Sequence, residues 1–275
     1  MSKIEGIPGY TKEEVIHQVE LNLWETWSNF GRGPGCTLHE EDDALWFETP
    51  IPIIPYNTVL RFQVQHDVDE RIDFLINRYA ERNVVPLWIV HTTTMPGDIA
   101  ERLQKRGFQE IELVPGMARL LENLPEPPPI PEGVEIREAR EEQDLSELYG
   151  FAAWRWGVPE EFRPQLEGMI KQFNIGERGS NVRFWMAWKD GAPISKIGLY
   201  NGSGSAGIYA VATKPEARGL GLASILMDTA MQAARDMGQK LCVLDSSPLA
   251  EKLYERLGFI RVASIPLYST IPGVV

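Results

Sequence analysis

The stretch Ile208-Tyr-Ala-Val-Ala-Thr-Lys-Pro-Glu-Ala-Arg-Gly-Leu-Gly-Leu-Ala-Ser224 constrains this chain more than any other. It reads as a strand ending near Thr213, a turn carrying Pro215, and a glycine-loosened helix start. The helix puts Leu222, Ile225, Leu226, Thr229, Ala230 and Ala233 on one face, and Gly238 is placed to stop it. Arg218, Gly219 and Gly221 fall where the first helical N–H groups have no intrahelical acceptor. Those donors, the positive end of the helix dipole and a guanidinium together make a cradle for pyrophosphate. The glycines let a ligand approach the backbone without a Cβ in the way.

Other phosphate loops fit less well. The Walker pattern G-x-x-x-x-G-K-[ST] is absent. A dinucleotide fingerprint is closer, since Gly219-x-Gly221 is followed by Asp245 at the end of the next strand. Ser224, however, stands where Gly or Ala belongs, and residues 213–218 separate the strand from the first glycine. In the plainest reading the two glycines only ease a helix start.

Arg218-x-x-Gly221-x-Ala223 resembles the Q/R-x-x-G-x-G/A element of the GNAT acyltransferase superfamily. Val211-Ala-Thr-Lys-Pro-Glu-Ala-Arg-Gly219 is similar to that family's passage from strand four to its helix. Leu244-Asp-Ser-Ser-Pro-Leu-Ala-Glu-Lys-Leu-Tyr-Glu-Arg-Leu-Gly-Phe259 resembles its fifth strand and fourth helix. The resemblance extends over residues 134–268. It implies acetyl-CoA as acyl-donor substrate, held by Val211, Ala212, Thr213, Arg218, Gly219, Leu220, Gly221, Leu222 and Ala223. It further implies direct transfer of acetyl to an amine, with the strand holding Val211 splayed from Val243 and Leu244. Backbone groups exposed there would line the pantetheine and polarise the thioester carbonyl. Tyr254 matches the family's general acid for the departing thiolate; otherwise it is a packing aromatic.

The general base is less evident. All four histidines (His17, His39, His66, His91) lie in the first half. Asp245 is the best carboxylate, acting through water, although an Asp before Ser246-Ser247-Pro248 equally suits a turn cap. Glu138 is a weaker candidate, and a water chain could replace a dedicated base.

The first half echoes the second. Strand, helix, strand, helix, strand recurs, and Leu103-Gln-Lys-Arg-Gly-Phe108 parallels Tyr254-Glu-Arg-Leu-Gly-Phe259. Thr11-Lys-Glu-Glu14 has capping-box spacing and opens a helix over 11–30. Strands are expected around 36–39, 44–49, 58–64 and 86–90, with helices over 68–82, capped by Asp67, and 96–106. Two further strands are expected in 108–121, broken at Pro115-Gly116. Trp24, Trp27 and Trp46 read as core in preference to a substrate pocket. Where the second half has Arg218-Gly-Leu-Gly221, the first has Gln65-His-Asp-Val-Asp69, whose carboxylates would repel pyrophosphate. The resemblance and this echo together imply the fold class α/β (α+β): tandem GNAT-like domains, each a mixed, mostly antiparallel sheet flanked by helices. Residues 1–124 form a diverged domain without a CoA loop, which would shape the acceptor pocket or an interdomain cleft. Leu124-Pro-Glu-Pro-Pro-Pro-Ile-Pro131 begins a stiff linker over 125–133, and 134–275 is the catalytic domain.

Composition bounds the partners. A net charge of −12 argues against nucleic acid. Cys36 and Cys242 have no metal spacing and point to a reducing compartment. Met-Ser-Lys-Ile-Glu-Gly6 has no apolar signal core and no run reaches membrane-spanning length, so no membrane association, no metal and a cytoplasmic location are expected. The acceptor would be a small-molecule or peptide amine. Two other readings stay open: a non-catalytic acyl-CoA-binding regulatory module, and an NAD(P)-dependent oxidoreductase.

Overall fold

The turn Asp190-Gly191 has φ of 50° and 79° at its two residues, the left-handed pair that a tight hairpin with right-twisted strands requires. Around such local signals the computed structural model describes residues 4 and 6–270. Most of the Met1–Gly6 stretch discussed above lies outside the described residues. In chain order the elements are α1 (Lys12–Trp27), β1 (Thr37–Glu40), β2 (Ala44–Glu48), β3 (Thr58–Phe62), α2 (Val68–Glu81), β4 (Leu87–Ile89), α3 (Ile99–Gln104) and β5 (Gln109–Leu120). They continue as β6 (Val134–Glu138), α4 (Glu142–Trp156), α5 (Arg163–Lys171), β7 (Val182–Lys189), β8 (Ala192–Asn201), β9 (Ala206–Thr213), α6 (Leu222–Asp236), β10 (Leu241–Asp245), α7 (Glu251–Arg256) and β11 (Ile260–Ser269).

The chain divides into two units that interleave along the sequence. The first comprises Met1–Leu23, Gly116–Gly157 and Phe173–Val262; the second comprises Trp24–Pro115, Val158–Gln172 and Ala263–Val275. In the first, strands run in the order β5-β10-β9-β8-β7-β6, antiparallel except for β9 with β10. In the second the order is β1-β2-β3-β4-β11, antiparallel except for β3 with β4. Each parallel pair encloses a helix, α6 in one unit and α2 in the other, as a parallel crossover requires. This is the mixed, mostly antiparallel sheet flanked by helices that the sequence suggests.

In the first unit α6 lays Leu222, Ile225, Leu226 and Ala230 on Ile197, Leu199, Ile208 and Leu244 of the sheet. Burying such a face supplies most of the helix's stability in context. In the second unit α2 sets Ile72, Leu75 and Tyr79 against Val59, Phe62 and Trp88. Trp24 and Trp46 are buried, and Trp46 belongs to that core. The Thr11–Glu14 capping box forms: Glu14 N–H donates to Thr11 Oγ1 at 3.2 Å and Thr11 N–H to Glu14 Oε2 at 2.7 Å.

Three local expectations need correction. Residues 109–120 form one strand, β5, not two. Pro115 lacks an N–H, but it falls where the chain leaves the second unit, and Gly116 at once takes up pairing with Asp245. Asp67 precedes α2 without a side-chain cap, because its backbone sits at φ 51°. The helix expected over 96–106 is a short one, Ile99–Gln104.

Helix α1 reaches the first unit's sheet through Asn22. Its Nδ2 donates to the Ser205 carbonyl at 2.8 Å, and Tyr209 Oη donates to Asn22 Oδ1 at 2.8 Å. Gly207, between those residues, leaves room for this: a Cβ there would stand 1.9 Å from Asn22 Oδ1 and 2.5 Å from the Tyr209 ring. Gly207→Ala should lower stability by about 1–3 kcal/mol, the usual cost of overpacking, read from the urea midpoint. An unchanged midpoint would mean that Asn22 does not seat against β9.

Candidate active site

The parallel pairing of β9 with β10 covers Ala206–Ile208 against Cys242–Leu244 and goes no further. From Tyr209 on, β9 keeps only its β8 neighbour, so its other edge presents backbone N–H and C=O groups. A register shift faces this segment on β8 between Lys196 and Gly198, and Ala210 adopts φ 55°. An irregularity of this kind re-aims the strand locally. Val211 therefore sits just past a bulge and beyond the point where the parallel strands part, three residues later than their last paired position at Ile208.

The chain then turns through Pro215–Ala217 into α6. Gly219 and Gly221 have φ of 82° and 76°, and no atom lies within 4 Å of where a Cβ would project from either. Positive φ explains why both positions are glycine. The open space above them is what an incoming phosphate needs. The first helical bond runs from Ile225 N–H to the Gly221 carbonyl at 3.2 Å, which leaves the N–H groups of Leu222, Ala223 and Ser224 facing outward. Arg218, Gly219, Leu220 and Gly221 are exposed. These residues fit a pyrophosphate and the end of a pantetheine arm.

Tyr254 on α7 is only 6% exposed and belongs to the cluster that contains Leu222 and Leu244, against which Val211 also packs. Its ring meets Phe259 edge-on at 6.0 Å. Burial pushes its hydroxyl up to about 12, so the phenol keeps its proton at any working pH. Strand, glycine turn, helix start and Tyr254 are thus brought together on one side of the sheet.

Asp245 ends β10 beside that arrangement. By strand alternation its side chain points to the face opposite Leu244. The residue as a whole is partly exposed, yet its Oδ1 is shut off from solvent with no hydrogen-bond partner. The shielded oxygen governs its chemistry. Burial, with the charge of Glu20 on α1 as a smaller cause, lifts the carboxyl to about 7. Glu138 is a different case. Burial pushes it up, but Arg183 at 2.6 and 2.7 Å and Arg140 at 2.7 Å outweigh that and hold it below the ordinary carboxylate range. A carboxylate so engaged is an ion-pair partner in preference to a base. Among the described residues no group of three His, Cys, Asp or Glu side chains could hold a metal ion, and no helix is long and apolar enough to cross a membrane.

Two contributors escape a sequence reading: the Ala210 bulge and the α1 residues Glu20 and Asn22. The sequence trace of Glu20 and Asn22 is polarity at buried positions of a helix that also buries Val15, Val19 and Leu23. At the start of α2, the corresponding place in the second unit, Asp69 is instead paired with Arg102 and Arg106.

Comparison with known proteins bears on the fold. Residues 143–259 match the model of the acetyltransferase (GNAT) family. A GCN5-related N-acetyltransferase from Kribbella flavida superposes with a TM-score of 0.68 at 16% identity, covering 94% of this chain and 96% of its own. A second, from Sphaerobacter thermophilus, gives 0.61 at 16% identity over 84% and 77%. A tandem GNAT protein from the clavulanic acid biosynthesis pathway gives 0.63 at 11% identity over 96% of each chain. At such identities these likenesses speak for the fold. No curated protein matches the sequence. The strand parting at Val211, the open glycine helix start and the family match coincide: residues 143–259 are a domain of the GNAT acetyltransferase family.

Proposed function

We propose that this protein transfers an acetyl group from acetyl-CoA directly to a primary amine, with residues 134–275 carrying the chemistry. The supporting observation is the parting of β9 and β10 just before Val211, next to an open helix start made by Gly219 and Gly221. Arg218 and the N–H groups of Leu222 and Ala223 bind the pyrophosphate. The exposed edge of β9 from Val211 to Thr213 aligns the pantetheine, and a backbone N–H at Val211 stabilises the oxyanion that forms on acyl transfer.

Bound acetyl-CoA supplies an acetyl thioester. Asp245, with its carboxyl near neutrality, accepts the proton that the amine must lose as the new C–N bond forms. Tyr254 donates its proton as the C–S bond breaks, so the leaving group departs as a thiol and not as a thiolate. Solvent then restores both side chains. The Gln65–Asp69 stretch, carboxylate-rich and without glycine, has none of this machinery.

The test is thiol release from acetyl-CoA across a panel of primary amines, followed with a thiol reagent. Acetylation of at least one amine class, saturable in both substrates, is the expected result. Tight binding of acetyl-CoA with no thiol release from any amine would make the protein an acyl-CoA-binding module. A melting temperature that responds to a nicotinamide dinucleotide and not to CoA would return the oxidoreductase reading.

A further inference from the structure

Lys196 is a charged side chain buried in the middle of a strand. In Pro193-Ile-Ser-Lys-Ile-Gly-Leu199 of β8 it is 2% exposed and lies across from Ala212 of β9. Ile197 next to it faces the α6 side, so Lys196 projects toward α4. There its Nζ lies 5.7 Å from the ring of Phe151 and 5.8 Å from that of Phe184.

It is not the only cation at that ring. Lys214, just past β9, holds its Nζ 5.6 Å from Phe151. Arg155, one turn along α4, acts on Lys196 electrostatically: burial first, and this guanidinium second, bring the Lys196 amine down to about 7. Among the described residues neither Lys196, Lys214 nor Arg155 pairs with a carboxylate, in a chain whose net charge is −12. Arg102, Arg106, Arg140 and Arg183, by contrast, each have carboxylate partners.

Desolvating an ammonium is costly unless a counter-charge meets it. Two ring faces recover a part of that cost; two further cations add to it. Left alone, the amine can shed its charge near neutrality; an anion bound beside it would hold it as the ammonium. The location matters as much as the charge: Ala212 is the neighbour of Val211, so the cluster borders the place where acyl transfer is proposed to occur. A positively charged surrounding repels a free ammonium, which makes these groups poor ligands for the reacting amine itself. It suits an oxyanion held elsewhere on the same molecule.

We propose that Lys196, Lys214 and Arg155 form an oxyanion subsite for the acceptor, and that the acceptor is accordingly an amine that also bears a carboxylate or a phosphate. This rests on the acetyl-transfer reading for the word acceptor, but the anion site itself is testable without turnover. Lys196 and Lys214 would pair with the oxyanion in the aromatic surroundings of Phe151 and Phe184, where charge-assisted hydrogen bonds are strong. Arg155, exposed on α4, would guide its entry.

The experiment has two arms on the full chain. Benzoate and inorganic phosphate are titrated calorimetrically into the protein without acetyl-CoA, for wild type, Lys196→Met and Lys214→Gln. At least one anion should bind the wild type and bind each variant about tenfold or more weakly. Then kcat/KM is compared within two pairs, phenylalanine with phenethylamine and O-phosphoethanolamine with ethanolamine; the pair that responds identifies carboxylate or phosphate. The preference for the anionic member should fall about tenfold or more in both variants. Lys196→Met removes a buried charge at similar volume and should melt at or above wild type, so a loss of binding is not a loss of fold. Equal anion binding in all three proteins would overturn the subsite. So would dephospho-CoA binding wild type as weakly as CoA binds the variants, since the cations would then serve the donor. Anion binding lost in the variants, with no amine acetylated by any of the three proteins, would sink the transfer reading and leave the subsite standing.

Discussion

Tyr254→Phe should lower turnover about 10²-fold while the Kd for acetyl-CoA stays within about twofold, the lower end of what a lost general acid costs. The lower end is expected because of the phenol's own acidity. Burial holds it at about 12, well above working pH and above an ordinary thiol near 8.5. A complete proton transfer to a free thiolate is uphill on its own and goes forward only because solvent reprotonates the phenolate. What Tyr254 contributes is a hydrogen bond that strengthens as charge grows on sulfur, with the proton passing as the C–S bond lengthens. Phenylalanine preserves the edge-on contact with Phe259 at 6.0 Å and the packing in the cluster with Leu222 and Leu244. Stability should therefore change little, and the loss should fall on kcat alone. A variant that turns over like wild type would make Tyr254 a packing aromatic and nothing more.

The sequence announces those parts of the site whose chemistry is local. Gly219 and Gly221 are legible because only a residue tolerant of φ near 80° fits there. The amphipathic face of α6 and the Asp190-Gly191 hairpin follow from periodicity and turn chemistry in the same way. What stays hidden is set by distant partners. Pro115-Gly116 looks like a break, yet β5 runs through it: the unit boundary falls between the two residues, and Gly116–Leu120 pair with β10. The polar residues Glu20 and Asn22 of α1 make sense only once Asp245, Ser205 and Tyr209 are placed beside them. Lys196 reads as an ordinary surface lysine on an alternating strand until Phe151, more than forty residues earlier, is found over it.

Asp245→Asn should push activity and stability in opposite directions, which separates a base from a turn cap. The folded carboxyl sits at about 7 against an ordinary value of 3.8, so the native state holds this proton more tightly than the unfolded chain does. The resulting penalty is absent below about pH 4, grows as pH rises toward 7, and is constant above it. A shift of that size corresponds to at most about 4 kcal/mol; with the residue partly exposed, about 2 kcal/mol is the expected gain for the asparagine variant at pH 8, and none at pH 4. Denaturant midpoints at the two pH values would measure it. As base, Asp245 must be ionised, so wild-type kcat/KM should rise through a limb near pH 7. In the variant that limb should vanish and the plateau fall about 10²-fold. Asparagine caps turns as well as aspartate does. If Asp245 only ordered Ser246-Ser247-Pro248, the variant would keep both the plateau and the limb, and the proton would have to leave the amine by another route.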